Sequence, residues 1–162
     1  MNEIAFQSKI QQAAHNDEDI QLVESLYTYF LFIKEEDFIS WKKLKSLFLA
    51  ARPASKAWQT LDIKEAKAVQ NVLKWTGYTP DLIAQILRTY DRATQELKQA
   101  LGDGRIGRYP ASTISRLHKG NLKDLQSRVL EMYFRYAMTN DDLRELVQKL
   151  ERTLSKDDQE KI

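Results

Sequence analysis

The first helix breaker in this chain is Pro53, and four of its five glycines crowd between residues 102 and 120. Glycine and proline each destabilise a helix interior. Long stretches without either are therefore free to be helical, and Gly77, Pro80 and Pro110 punctuate the rest. No period-2 alternation of apolar and polar residues competes with the three- and four-residue spacings. The pattern predicts an all-α fold, a compact multi-helix bundle. The expected regions are an N-terminal helical one over 1–78, a second helical one over 79–154, and a disordered tail over 155–162.

A chain of 162 residues with 43% hydrophobic and 30% charged residues is long and apolar enough to bury a core. It has no cysteine, which excludes disulfides, thiolate metal sites and cysteine nucleophiles. The first 14 residues, with Glu3 and Lys9, do not read as a signal peptide. The most apolar run, Leu26 to Ile33, is far shorter than the roughly 20 residues of a membrane span. The expectation is a cytoplasmic protein with no membrane partner.

Local signals place the helices. Asn2 to His15 carries Ile4, Phe6 and Ile10 as apolar contacts. Asp17-Glu18-Asp19 suits the positive end of a second helix, with Ile20, Val23, Tyr27 and Phe30 on one face and Leu22, Leu26, Tyr29 and Ile33 on an adjacent one. Such a helix is central to a core or covered by a partner. Ser40 caps a third helix carrying Trp41, Leu44 and Phe48. Asp62 with Glu65 reads as a capping box, and Gly77 as a C-terminal stop. Thr79-Pro80-Asp81 starts the next helix. Its apolar spacing continues through Tyr90, Ala93, Leu97 and Leu101, so one rod over 79–101 and a break near Ala93-Thr94 both remain open. Residues 102–110 read as a loop and 111–119 as a short helix. Asn121 caps a helix with Leu122, Leu125, Val129, Met132 and Tyr136. Thr139 or Asn140 opens the last, with Leu143, Leu146, Val147, Leu150 and Leu154.

Positive charge gathers in the stretch 98–123. Between residues 98 and 123 stand Lys98, Arg105, Arg108, Arg116, Lys119 and Lys123 against the single acid Asp103, a local charge of +5 in a chain of net charge +2. Such a patch suits phosphate contacts. Within it, Ser112, Thr113, Ser115 and Arg116 are short or forked donors of the kind that reach base edges from a helix in the major groove. Ile114 and Leu117 would hold that helix on its domain.

The run Ser112-Thr113-Ile114-Ser115-Arg116, followed by Gly120, resembles the recognition helix of helix-turn-helix domains of the Cro and phage-repressor type. Thr94-Gln95-Glu96-Leu97 and Ala100-Leu101-Gly102 resemble that family's preceding helix. The resemblance covers residues from about 79 to 137. It implies DNA binding in transcription regulation or mobile-DNA handling, with Ser112, Thr113, Ser115, Arg116 and Lys119 facing duplex DNA. Arg105, Arg108 and Lys123 would add phosphate contacts. The chain departs from the family in its turn: Gly102 to Pro110 spans nine residues, where three to four are usual.

Other features read as structure. Trp41, Trp58 and Trp75 lie on different elements and read as core. His15 and His118 are far apart, and no metal site or cofactor is expected. The acidic runs at 17–19 and 35–37 read as capping and solubility features. No nucleophile has a partner base, so an enzyme is not expected. The alternative to duplex binding is a helical, non-catalytic subunit or adaptor that contacts RNA, a single strand or another protein. A homodimer or protein interface would use helix 20–34 or the stripe 143–154.

Overall fold

A computed structural model of the protein describes residues 2–160, with side chains described through Thr153. Among the described residues the fold is all-α, with nine α-helices, two 3-10 turns and no strand. The chain divides into two compact units, Met1–Arg88 and Thr89–Ile162. The division falls inside a helix, later than the 78/79 boundary that the sequence suggests.

The N-terminal unit is built on α1 (Glu3–His15), α2 (Asp19–Lys34), α3 (Trp41–Leu49) and α4 (Ile63–Thr76), with a 3-10 turn at Lys56–Thr60. α2 packs against both α1 and α4. Much of its apolar girth is thereby buried: Leu22, Val23, Leu26, Tyr29 and Phe30 are in the core with Phe6 and Ile10 of α1 and Val69 and Val72 of α4, while Phe32 of the same helix is 46% exposed. Ile4, expected in the core, is 73% exposed. It sits in the first turn of α1, off the face that carries Phe6 and Ile10. Two of the tryptophans are ring-packing partners, Trp41 on Tyr27 at 5.0 Å and Trp75 on Tyr29 at 5.4 Å.

The helix ends follow local chemistry. The Asn2 side chain accepts from the Ala5 N–H at 3.1 Å, and the Ser40 hydroxyl from that of Lys43 at 3.0 Å. Asp62 and Glu65 form the capping box in both directions, at 2.7 and 3.2 Å. Gly77 ends α4 in the left-handed region at φ +71°, which a side chain would strain.

α5 (Pro80–Arg92) begins at Thr79, whose hydroxyl accepts from the Leu82 N–H at 3.1 Å. The C-terminal unit continues with α6 (Gln95–Gly102), α7 (Arg108–Ser115), a 3-10 turn at Gly120–Asp124, α8 (Leu125–Arg135) and α9 (Asn140–Glu160). Its core gathers Leu97, Ala100, Ile106, Ala111, Ile114, Leu117, Val129, Leu130, Leu143 and Val147. The apolar stripe of α9 is thus used inside its own unit. Asn121 does not cap α8; it lies in the 3-10 turn, and α8 starts without a side-chain cap. Thr139 caps α9 by accepting from the Asp142 N–H at 3.1 Å. Where a tail is expected from 155, the backbone stays helical to Glu160. The expected contact of Leu154 lies outside the described side chains, and positions 161 and 162 of that tail lie outside the described residues.

Candidate nucleic-acid interface

The apolar spacing from 79 to 101 favours one rod, but the backbone breaks. α5 ends at Arg92, and Thr94 takes an extended conformation and caps α6, its hydroxyl accepting from the Leu97 N–H at 3.3 Å. The cause lies far along the chain. Gln126 of α8 is fully buried. Its Oε1 accepts from the Thr94 N–H at 2.9 Å, and its Nε2 donates to the Arg92 carbonyl at 2.9 Å and the Leu117 carbonyl at 2.8 Å. One amide thus satisfies the backbone groups freed at the break and a carbonyl just past α7. A buried backbone group needs such a partner. Sequence reasoning alone misses Gln126; its one signal is a polar residue beside the apolar stripe of α8.

The nine-residue loop is shorter than it reads. Gly102 belongs to α6, and Arg108, Tyr109 and Pro110 belong to α7, so Asp103 to Gly107 alone connect them. Pro110 is the third residue of α7, where no intrahelical N–H is required. Gly104 at φ +75° turns the chain out of α6. Around it, the Gly104 N–H reaches the Leu101 carbonyl at 3.2 Å and the Arg105 N–H that of Ala100 at 2.9 Å, the paired bonds of a Schellman ending. Ile106 is only 4% exposed and anchors the turn in the core.

This early start also corrects the expected helix 111–119, which ends at Ser115 with Arg116 as its cap. Ser112 and Ser115 are buried, at 9% and 3% exposure. The Ser115 hydroxyl donates to the Ser112 carbonyl at 2.7 Å. Neither serine is available at the surface. With Ala111 they are the small residues of a helix packed against α6, α8 and α9 together. The outward stripe is instead Tyr109, Thr113 and Arg116, spaced four and three residues apart. Tyr109 is 62% exposed, and the Thr113 hydroxyl returns to the Tyr109 carbonyl at 3.1 Å.

The cations surround this stripe unevenly. Arg105 is exposed, lies 5.7 Å over the Phe134 ring and has its Nε 3.7 Å from Asp103. Lys119 and Lys123 are exposed, with no ion pair among the described residues. Arg116 is paired with Glu151 of α9 at 2.7 Å. Arg108 is partly buried and already has a partner. Lys98 lies 4.1 Å over the Tyr90 ring.

His118 is half-buried just past α7. Burial, then the charges of Arg92 and Lys119, hold its imidazole below its usual pKa of 6.5; Asp91 and Glu151 oppose this more weakly. As the pH falls, the unfolded chain takes up this proton first. Stability from His118 is therefore full above about pH 6.5 and is lost as the pH drops towards the lowered native value. In melts from pH 7.5 to about 5, His118→Asn is expected to lose less midpoint on acidification than wild type. Parallel curves would contradict this.

Elsewhere the chemistry is sparse. Among the described residues no cluster of three or more His, Asp or Glu side chains is placed to hold a metal. No described helix is long and apolar enough to cross a membrane. In the N-terminal unit a cavity of about 590 Å³ is lined by Glu3, Tyr29, Phe32, Lys64, Lys67 and Asn71 among others. The Tyr29 hydroxyl donates to Glu3 at 3.3 Å, and Asn71 donates to both, at 2.9 Å and 3.2 Å. These three groups thus already satisfy one another.

Fold and site together define a class: an all-α protein whose C-terminal unit carries two short helices, joined by a tight turn, beside exposed cations. No family model, no curated protein and no solved structure matches the chain.

Proposed function

We propose that the C-terminal unit binds duplex DNA, with α7 as the helix presented to the groove. The observation that carries this reading is the break at Ala93-Thr94, which makes α6 and α7 a pair of short packed helices instead of a rod and a loop. The stripe Tyr109, Thr113 and Arg116 takes the role that the sequence pattern assigns to the serines. Arginine donates in a fork to guanine, and a hydroxyl serves either as donor or as acceptor. Arg105, Lys119 and Lys123 hold phosphates and set the register. Ser112 and Ser115 serve by letting α7 pack closely. The process is binding without chemistry, in transcription regulation or in the handling of mobile DNA.

One observation favours a second reading, an adaptor with a protein partner. On and just after α8, Met132, Phe134 and Tyr136 are 38%, 40% and 63% exposed.

Fluorescence anisotropy with a labelled duplex across a salt series separates the two. The DNA reading expects affinity to fall as salt rises. Lys119→Ala with Lys123→Ala should flatten the log–log salt slope by about 2, near 0.9 for each phosphate that is no longer neutralised. Arg116→Ala should cost about 1–3 kcal/mol on a preferred sequence. No retention of duplex at low ionic strength would end this reading.

A further inference from the structure

We infer that Glu151 of α9 is a built-in competitor of DNA for Arg116, so that α9 restrains the surface it packs beside. This rests on the proposed DNA binding and adds its regulation. α9 buries Leu143 and Val147, one helical turn apart. The next position in that row is 151, where an apolar residue would extend the seam. A carboxylate stands there instead, with Glu151 Oε1 2.7 Å from Arg116 Nη2. That oxygen is shut off from water and receives no hydrogen bond, so the contact is an ion pair without hydrogen-bond alignment.

Three features make the pair exchangeable. Both side chains are part exposed, at 42% and 35%, so although the contacting Oε1 is covered the pair lies at the surface and its net contribution is modest. A guanine edge offers the guanidinium two aligned acceptors, which the carboxylate does not supply here. Arg116 lies on the outward stripe of α7 rather than in the core. Of the cations nearby, Lys119 and Lys123 have no such carboxylate among the described residues. Arg105 has Asp103 at 3.7 Å, but Arg116 is the cation on the outward stripe itself.

The test is duplex binding by Glu151→Gln, with Glu145→Gln as control. Glu145 pairs with Lys149 on the same helix, at 3.5 Å, so its substitution changes net charge equally without touching Arg116. Glu151→Gln is expected to bind about three- to tenfold tighter than the control. In an Arg116→Ala background the gain should vanish. If Glu151→Gln matches Glu145→Gln while wild type binds, the inference falls and the DNA reading stands. A gain that persists without Arg116 also overturns it. Silence from every variant removes both.

Discussion

Replacing Gln126 with leucine is expected to destabilise the C-terminal unit by about 3 kcal/mol or more. The substitution keeps an apolar side chain in the core but strips partners from the Thr94 N–H and the Arg92 and Leu117 carbonyls. The Leu117 carbonyl is buried and the other two groups part-buried; a buried backbone group left unsatisfied costs about 1–3 kcal/mol, and a part-buried one less. That is a large share of the 5–15 kcal/mol that typically holds a domain. Chemical denaturation gives the total. Hydrogen exchange gives the location, because the Thr94 amide should lose its protection. Gln126→Glu is diagnostic as well. At neutral pH its carboxylate would face two carbonyl oxygens, so it should be at least as damaging. Acidification should partly restore it, since the protonated acid can donate to one of them. A leucine variant with wild-type stability and a protected Thr94 amide would refute the clasp.

Glu65→Ala is the second large effect, in the N-terminal unit. Glu65 is 5% exposed and joins two structures. It closes the capping box with Asp62, and its Oε2 lies 2.6 Å from Lys34 Nζ and 3.7 Å from Lys43 Nζ. The Lys34 side chain is 15% exposed, so alanine would strand a screened ammonium whose other described acid, Glu36, lies at 3.9 Å. A loss of about 2–4 kcal/mol follows from the broken pair and the lost return bond to the Asp62 N–H together. Pairing Glu65→Ala with Lys34→Met should recover part of it, since removing both charges avoids the stranded one.

The hydrogen bond to Glu65 raises the Lys34 pKa against the opposing effect of burial. Its contribution is present below the ordinary value of 10.5 and lost as the pH rises through the raised native value. Burial raises the Tyr29 pKa and adds a loss in the same direction, felt as the pH climbs above 10.0, where the unfolded chain gives up its proton first. Strictly additive substitutions at 34 and 65 would show that the pair contributes little.

What is legible in the sequence follows the range of the interactions. The ends of α4 are readable because Asp62, Glu65 and Gly77 act on backbone within a few residues of themselves. The cap at Thr94 is readable as a resemblance, but not the break it makes. Nothing at 91–94 forces a break, and the residue that stabilises it stands 32 positions away. The start of α7 is hidden for a local reason. Pro110 reads as the end of a loop, whereas in the first turn of a helix a proline sacrifices no intrahelical bond. That shift and the packing of α9 turn Ser112 and Ser115 inward. Ile114 and Leu117, the inward pair by their spacing, are indeed buried. The over-apolar α2 reads as central or covered, and its cover is α1 and α4 of its own unit.

The central claim is that DNA meets the surface around α7. Titrating isotope-labelled protein with a short duplex, at low salt, and following amide and arginine side-chain signals tests it most directly. The account predicts shifts clustered at Arg105, Tyr109, Thr113, Arg116, Lys119 and Lys123, with the N-terminal unit largely silent. Shifts confined to the N-terminal unit, or none at all, would contradict it.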